Sequence, residues 1–199
     1  MAAVLFFSLG CFTVSCSLPK PQVYACTSFT DSLRRQAEAG DVSSQLRLGI
    51  ENDKAGQYVE AAQWYRLAAE QGDAKAQNNL GVLYKDGQGV EQDYAEAARW
   101  FALAAETGNV LAMSNLGWLF QNGLGVALDY AEAEHLYRQA ASSGHAAAQN
   151  NLGTMFLHGM GLPCDTDSAV YWFELAAGQG LPVAKQNLKR IEAQRGTVE

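Results

Sequence analysis

Gly72, Gly108, Gly144 and Gly180 stand 36 residues apart, and between them nearly every apolar position recurs in phase. Ala76-Gln77-Asn78-Asn79-Leu80-Gly81 returns as Ala112-Met113-Ser114-Asn115-Leu116-Gly117 and again as Ala148-Gln149-Asn150-Asn151-Leu152-Gly153. In the second half of each copy, Trp100-Phe101, Leu136-Tyr137 and Trp172-Phe173 share one phase, followed by Ala104-Ala105, Ala140-Ala141 and Ala176-Ala177. A unit this short cannot enclose a core. It buries its apolar face only against its neighbours, so the chain must stack similar layers rather than wrap one interior.

Within a copy the periodicity is helical. Ala76, Leu80, Leu83 and Tyr84 fall on one helix face, and Ala97, Trp100, Phe101 and Ala104 on the facing one. Between the two helices lies Gly87-Gln88-Gly89, repeated as Gly123-Leu124-Gly125 and Gly159-Met160-Gly161. The first glycine suits the left-handed residue that ends a helix, and the second lets the chain turn toward the next one. Asp93, Asp129 and either Asp165 or Asp167 then stand where an N-cap accepts backbone N–H bonds. Gly81, Gly117 and Gly153 lie inside the first helix, where glycine costs ~1 kcal/mol against alanine. A penalty that recurs needs a recurring cause, and close approach of the helices under large aromatic rings is the one expected.

The pattern divides the chain into a leader over residues 1–25, a capping helix over 27–39, and four repeats over 40–71, 72–107, 108–143 and 144–179. A polar capping helix over 181–195 completes the array. The first copy lacks four loop residues, including the Gly-x-Gly. In the last helix Lys189 replaces the internal glycine.

These residues resemble the Sel-one-like repeat family, relatives of the tetratricopeptide repeats with an Ala-x-x-Asn-Leu-Gly first helix, a Gly-x-Gly loop and an Ala-rich second helix. The resemblance covers about Gly40 to Gly180. It implies an all-α fold, an α-solenoid in which antiparallel helix pairs form a right-handed superhelix. It further implies an adaptor role in multiprotein complexes, with bacterial members often exported to the envelope or cell surface.

Of the first 25 residues only Lys20 is charged, and the run from Ala2 to Leu18 ends at Pro19 and Pro21. It is shorter than the ~20 apolar residues of a spanning helix and reads as an export signal. Two processing sites fit. Cleavage after Ala25 would leave Cys26 first, whereas Thr13-Val14-Ser15-Cys16 is a loose lipobox in which Cys16 is lipidated. Export to the periplasm or envelope is expected, with membrane contact only through such an anchor. The missing basic start leaves a cytoplasmic chain as the alternative. Cys26 and Cys164 lie about four layers apart, beyond the ~7 Å reach of a disulfide.

The chemistry-bearing residues form no catalytic, cofactor or metal set. Ser17-Leu18-Pro19-Lys20 fits a Ser-x-x-Lys pattern but lies in a Pro-rich stretch with no Lys-Thr-Gly or Ser-Asp-Asn after it. A penicillin-binding branch of the family carries a cysteine pair in each repeat; here only Cys164 lies in the repeats, so that secreted-enzyme alternative is set aside. His135, His145 and His158 share no helical face and read as solvated or capping residues. The asparagine series Asn79, Asn115, Asn151 and Asn187 reads as side-chain bonds to neighbouring helices. With a formal charge of −7 and its Lys and Arg scattered among carboxylates, the chain lacks the cationic face that nucleic acid requires.

What remains is a protein or peptide partner. In tetratricopeptide-like arrays the first helices line the concave side, so their outward positions should diverge between copies. Val82, Trp118 and Thr154 share one such position, Lys75, Leu111 and Ala147 a second, and Gln77, Met113 and Gln149 a third. The candidate site is therefore Leu111, Met113, Trp118, Val82 and Gln77, with Leu111, Met113 and Trp118 as an apolar patch that docks a partner helix or extended segment. Two alternatives stand beside it: Trp118 packs against the next repeat, or the array is a mechanical spacer without a ligand.

Overall fold

The helices begin and end where side chains can satisfy their unpaired backbone groups. A computed structural model describes residues 29–195, within which ten helices follow one another: α1 (Phe29–Glu38), α2 (Val42–Lys54), α3 (Tyr58–Glu70), α4 (Ala74–Asp86), α5 (Tyr94–Glu106), α6 (Val110–Asn122), α7 (Tyr130–Ser142), α8 (Ala146–His158), α9 (Thr166–Gly178) and α10 (Pro182–Arg195). The leader, Cys16, Cys26 and the Ser17–Lys20 motif lie outside the described residues. Asp93, Asp129 and Asp165 each accept two backbone N–H bonds at the start of α5, α7 and α9, so Asp165 rather than Asp167 is the third cap. Helices α2, α4, α6 and α8 are capped by Asp41, Asp73, Asn109 and His145; the first three were not singled out in the sequence, and for His145 the capping reading holds.

The helices pair as the α-solenoid requires. α2 packs on α3, α4 on α5, α6 on α7 and α8 on α9, each pair against the next, while α1 is a lone second helix and α10 a lone first helix. No strand occurs among the described residues. In every pair an aromatic ring of the second helix lies on the internal glycine of the first: Tyr65 on Gly49, Phe101 on Gly81, Tyr137 on Gly117 and Phe173 on Gly153. A Cβ at Gly81 would stand 2.7 Å from the Phe101 ring, and one at Gly153 would stand 2.9 Å from that of Phe173. The four rings are all but completely buried. Burying a Phe side chain stabilises by about 1.5–3 kcal/mol, more than the ~1 kcal/mol that glycine costs the helix.

The loop glycines have a cause that lies outside their own hairpin. Gly87, Gly123 and Gly159 take the left-handed conformation that closes the first helix, with φ between 64° and 67°. The second glycine does more than turn the chain. Gly89 lies against the backbone of Tyr58 and Gly125 against that of Tyr94, each the first residue of the preceding repeat's second helix, so that no Cβ fits there. The Gly-x-Gly loop is thus an inter-repeat clasp. Where the first copy lacks it, a notch of about 470 Å³ remains, lined by Trp64 and Leu48 with charges of both signs from Asp31, Arg34, Glu51 and Glu60.

Candidate partner-binding face

The first helices of successive repeats bond directly to one another and form one row of the stack, the row that the tetratricopeptide-like resemblance makes the inner one. Asn115 donates to Asn78 at 3.0 Å, Asn187 to Asn150 at 3.0 Å, and Asn109 to the Ala74 carbonyl at 3.2 Å. Asn79 and Asn151 bond instead to the hydroxyls of Tyr65 and Tyr137. Those hydroxyls donate onward to Asp53 at 3.2 Å and to Gln121 at 2.8 Å, and burial raises both phenols above their ordinary pKa. The asparagine series is therefore a structural ladder.

A cleft of about 380 Å³ opens on this row, lined by Leu111, Ser114, Asn115 and Trp118 of α6, by His145, Ala147 and Asn151 at α8, and by Lys85 of α4. Leu111 is 52% exposed and Trp118 is 37% exposed, seven residues apart on one helix face. The Lys85 ammonium stands 5.7 Å from the centre of the Trp118 ring and 3.0 Å from Asp86. A second cleft of about 450 Å³ continues the row between α8 and α10, lined by Asn150, Thr154, Val183, Asn187 and Arg190.

The structure separates the five sequence-derived candidates. Leu111 and Trp118 face the cleft; Val82 and Met113 are half-buried and pack into the core beside Phe101 and Leu116. The expectation that Gln77 points outward is corrected: it is 6% exposed, and its amide donates to the Ala69 carbonyl at 3.1 Å. Gln45 and Gln149 make the same bond to Ala37 and Ala141, so the third position is a bridge between repeats. Met113 substitutes an apolar side chain for that bridge. The apolar patch narrows to Leu111 and Trp118.

The histidines do not converge. His135 bonds Gln139, His158 ends α8, and among the described residues no three His, Cys, Asp or Glu side chains stand as a metal set. Cys164 is exposed, its thiol donating to the Leu157 carbonyl.

The family model of the Sel1 repeat matches residues 42–73, 74–109, 110–145 and 146–181, four copies framed to begin with the even-numbered helices. The chain belongs to the Sel1 repeat family. Two solved structures of Sel1 repeat type resemble it. One is a protective antigen of uropathogenic Escherichia coli displaying an SLR fold, 34% identical with a TM-score of 0.77 over 82% of this chain and 36% of that one. The other is a Sel1 repeat protein of Oxalobacter formigenes, 35% identical with a TM-score of 0.72 over 76% of this chain and 62% of that one. This chain thus spans about a third of the first protein and under two thirds of the second. No curated protein matches it.

One edge of the cleft in this Sel1 repeat protein is formed by a titratable cap. The His145 ring caps α8, its Nδ1 accepting from the Ala148 N–H at 3.4 Å, which requires an unprotonated Nδ1. Burial holds its pKa below the ordinary 6.5, so the fold favours the neutral ring. Its contribution is complete above the unfolded value of about 6.5 and is lost as pH falls through the depressed folded value. His145→Asn keeps the cap, as Asn109 does in the preceding repeat, without the titration. Denaturant unfolding at pH 8 and pH 5 should show the wild type losing more stability on acidification than the variant, by up to ~1 kcal/mol. Equal losses would contradict this role.

Proposed function

We propose that this chain is an interaction scaffold, not an enzyme, whose inner row holds a segment of a partner protein with Leu111 and Trp118 as the anchor. The observation that carries this reading is the exposure of a large aromatic and a leucine together in a cleft whose other walls are Lys85, His145, two asparagines and the small Ser114 and Ala147. A partly exposed Trp in a recess is the kind of group that dominates binding energy at interfaces. A mechanical spacer needs no such anchor. The frame that holds α6 in place is built from other side chains, the Phe101 and Tyr137 rings and the asparagine ladder, which leaves the Trp118 ring with Lys85 at the cleft wall rather than in that frame. Trp118→Ala should weaken capture of a partner isolated on the wild-type chain by ~2 kcal/mol or more, about 30-fold, with little change in melting temperature. A collapsed melting temperature, or undiminished capture, would place Trp118 in the core or the binding surface elsewhere.

We also propose that the scaffold works outside the cytoplasm. The support is the uncharged apolar run from Ala2 to Leu18, closed by Pro19 and Pro21. Mass spectrometry of the protein made in a bacterial host should find a mature start at Cys26 or a diacylglyceryl group on Cys16. Intact, unmodified Met1 in the cytosolic fraction would overturn export.

A further inference from the structure

Folding sorts charges that the sequence mixes, and the sorting bears on what the inner row can hold. α6 and α8 have 13 residues each and no Asp, Glu, Lys or Arg, where 18% of 26 would place about five. Residues 86 to 184 contain eleven carboxylates and two guanidiniums, yet of those carboxylates only Asp86 lies on a first helix, and it is paired with Lys85. The other ten lie on the loops and on α5, α7 and α9. Cations flank the uncharged centre of the row: Lys75 and Lys85 on α4, and Lys185, Lys189 and Arg190 on α10 against Glu192, with Arg195 paired to Asp167 at 2.7 Å; farther out, α2 balances Arg47 and Lys54 with Glu51 and Asp53. The capping positions follow the same gradient. Asp41 and Asp73 give way to Asn109 and His145, so the positive ends of α6 and α8 meet no carboxylate cap.

Net charge does not decide the potential here. The outer carboxylates stand across a layer of helices whose axes are about 8–10 Å apart, and the Debye length at physiological salt is about 8 Å. Among the described residues, no carboxylate lines either cleft of the row: Lys85, itself paired with Asp86, lines the first and Arg190 the second, with Lys75 on the same helix as Lys85.

We infer, resting on the groove reading above, that the occupant is an acidic segment of a partner protein. Its apolar side chain enters between Leu111 and Trp118, and its carboxylates lie toward Lys75 and Lys85 on one side and Arg190 on the other. The first 28 residues of this chain contain no carboxylate and do not fit that description. Opposite charge aligns the segment and speeds its encounter, while the Trp118 contact holds it.

The test is selection of a random peptide library, about 12 residues long and displayed on phage, against the full chain, with the selected peptides synthesised and titrated. Enriched peptides should be net acidic around a large apolar residue. They should bind the double variant Lys75→Glu, Lys85→Glu at least ~10-fold more weakly, Arg190→Glu measurably more weakly, and the wild type less well as salt is raised. Circular dichroism verifies that each variant is folded, and the two cationic ends supply independent variants. Neutral or basic peptides, or acidic ones indifferent to both charge reversals, overturn the inference. If such peptides still need Trp118, the groove reading survives the loss of the acidic one. If acidic peptides bind Trp118→Ala undiminished, or no peptide is enriched, the groove reading falls as well. A chain that dimerises through the cleft, with mutation of Trp118 restoring the monomer, replaces the peptide by a second copy and also overturns the inference.

Discussion

The contact of one aromatic ring with one glycine, repeated in each hairpin, sets the geometry on which everything else in this structure depends. Phe101 can lie fully buried only because Gly81 has no side chain, and the same holds for Tyr65, Tyr137 and Phe173 over Gly49, Gly117 and Gly153. This brings the paired helices close enough to share one row of rings, which the next repeat then covers: Phe101 meets Leu116 and Leu119, and Tyr137 meets Leu152 and Met155. The stack grows by this nearest-neighbour burial rather than around a single centre. The Gly-x-Gly loop reaching back to Tyr58 and Tyr94 ties each layer to the one before.

A frame held this way leaves some inner-row positions without structural duty. The rings, the glutamine bridges to Ala69 and Ala141, and the asparagine bonds use a fixed subset of each first helix. Leu111 and Trp118 perform none of these tasks, and at their positions the copies differ, with Lys75 and a half-buried Val82 that packs on the core in one repeat and Ala147 and Thr154 in another. Variation is tolerated where the frame makes no demand, and a partner can be recognised there.

Much of the fold was legible because its determinants are local and recur. Helix faces, loop glycines and the need for a ring over each internal glycine all follow from spacing. Gln77 was misplaced for a physical reason: polarity at a helix position predicts exposure, yet its amide nitrogen donates to a carbonyl eight residues earlier, on the preceding helix, and that bond holds the side chain in a buried place. His145 was seen as a turn residue. The sequence left it between a solvated and a capping role, and its place beside Asp41, Asp73 and Asn109 at equivalent helix starts decides for the cap. The reading of Lys and Arg as scattered among carboxylates holds in space for most of the chain, where they form ion pairs, but it missed that α6 and α8 carry no charge at all while α10 gathers cations. Segregation of this kind depends on which helix faces which side, and linear order does not contain it.

The ring-on-glycine constraint can be isolated by a double-mutant cycle at Gly81 and Phe101, followed by denaturant unfolding. In the wild-type background Gly81→Ala should destabilise the chain by about 1–3 kcal/mol, because overpacking outweighs the gain in helix propensity. In a Phe101→Ala background the ring is gone, and the same substitution should stabilise by ~1 kcal/mol. A Gly81→Ala variant more stable than the wild type would show that the rings do not require glycine, and the account of how the inner row is held in place would be wrong.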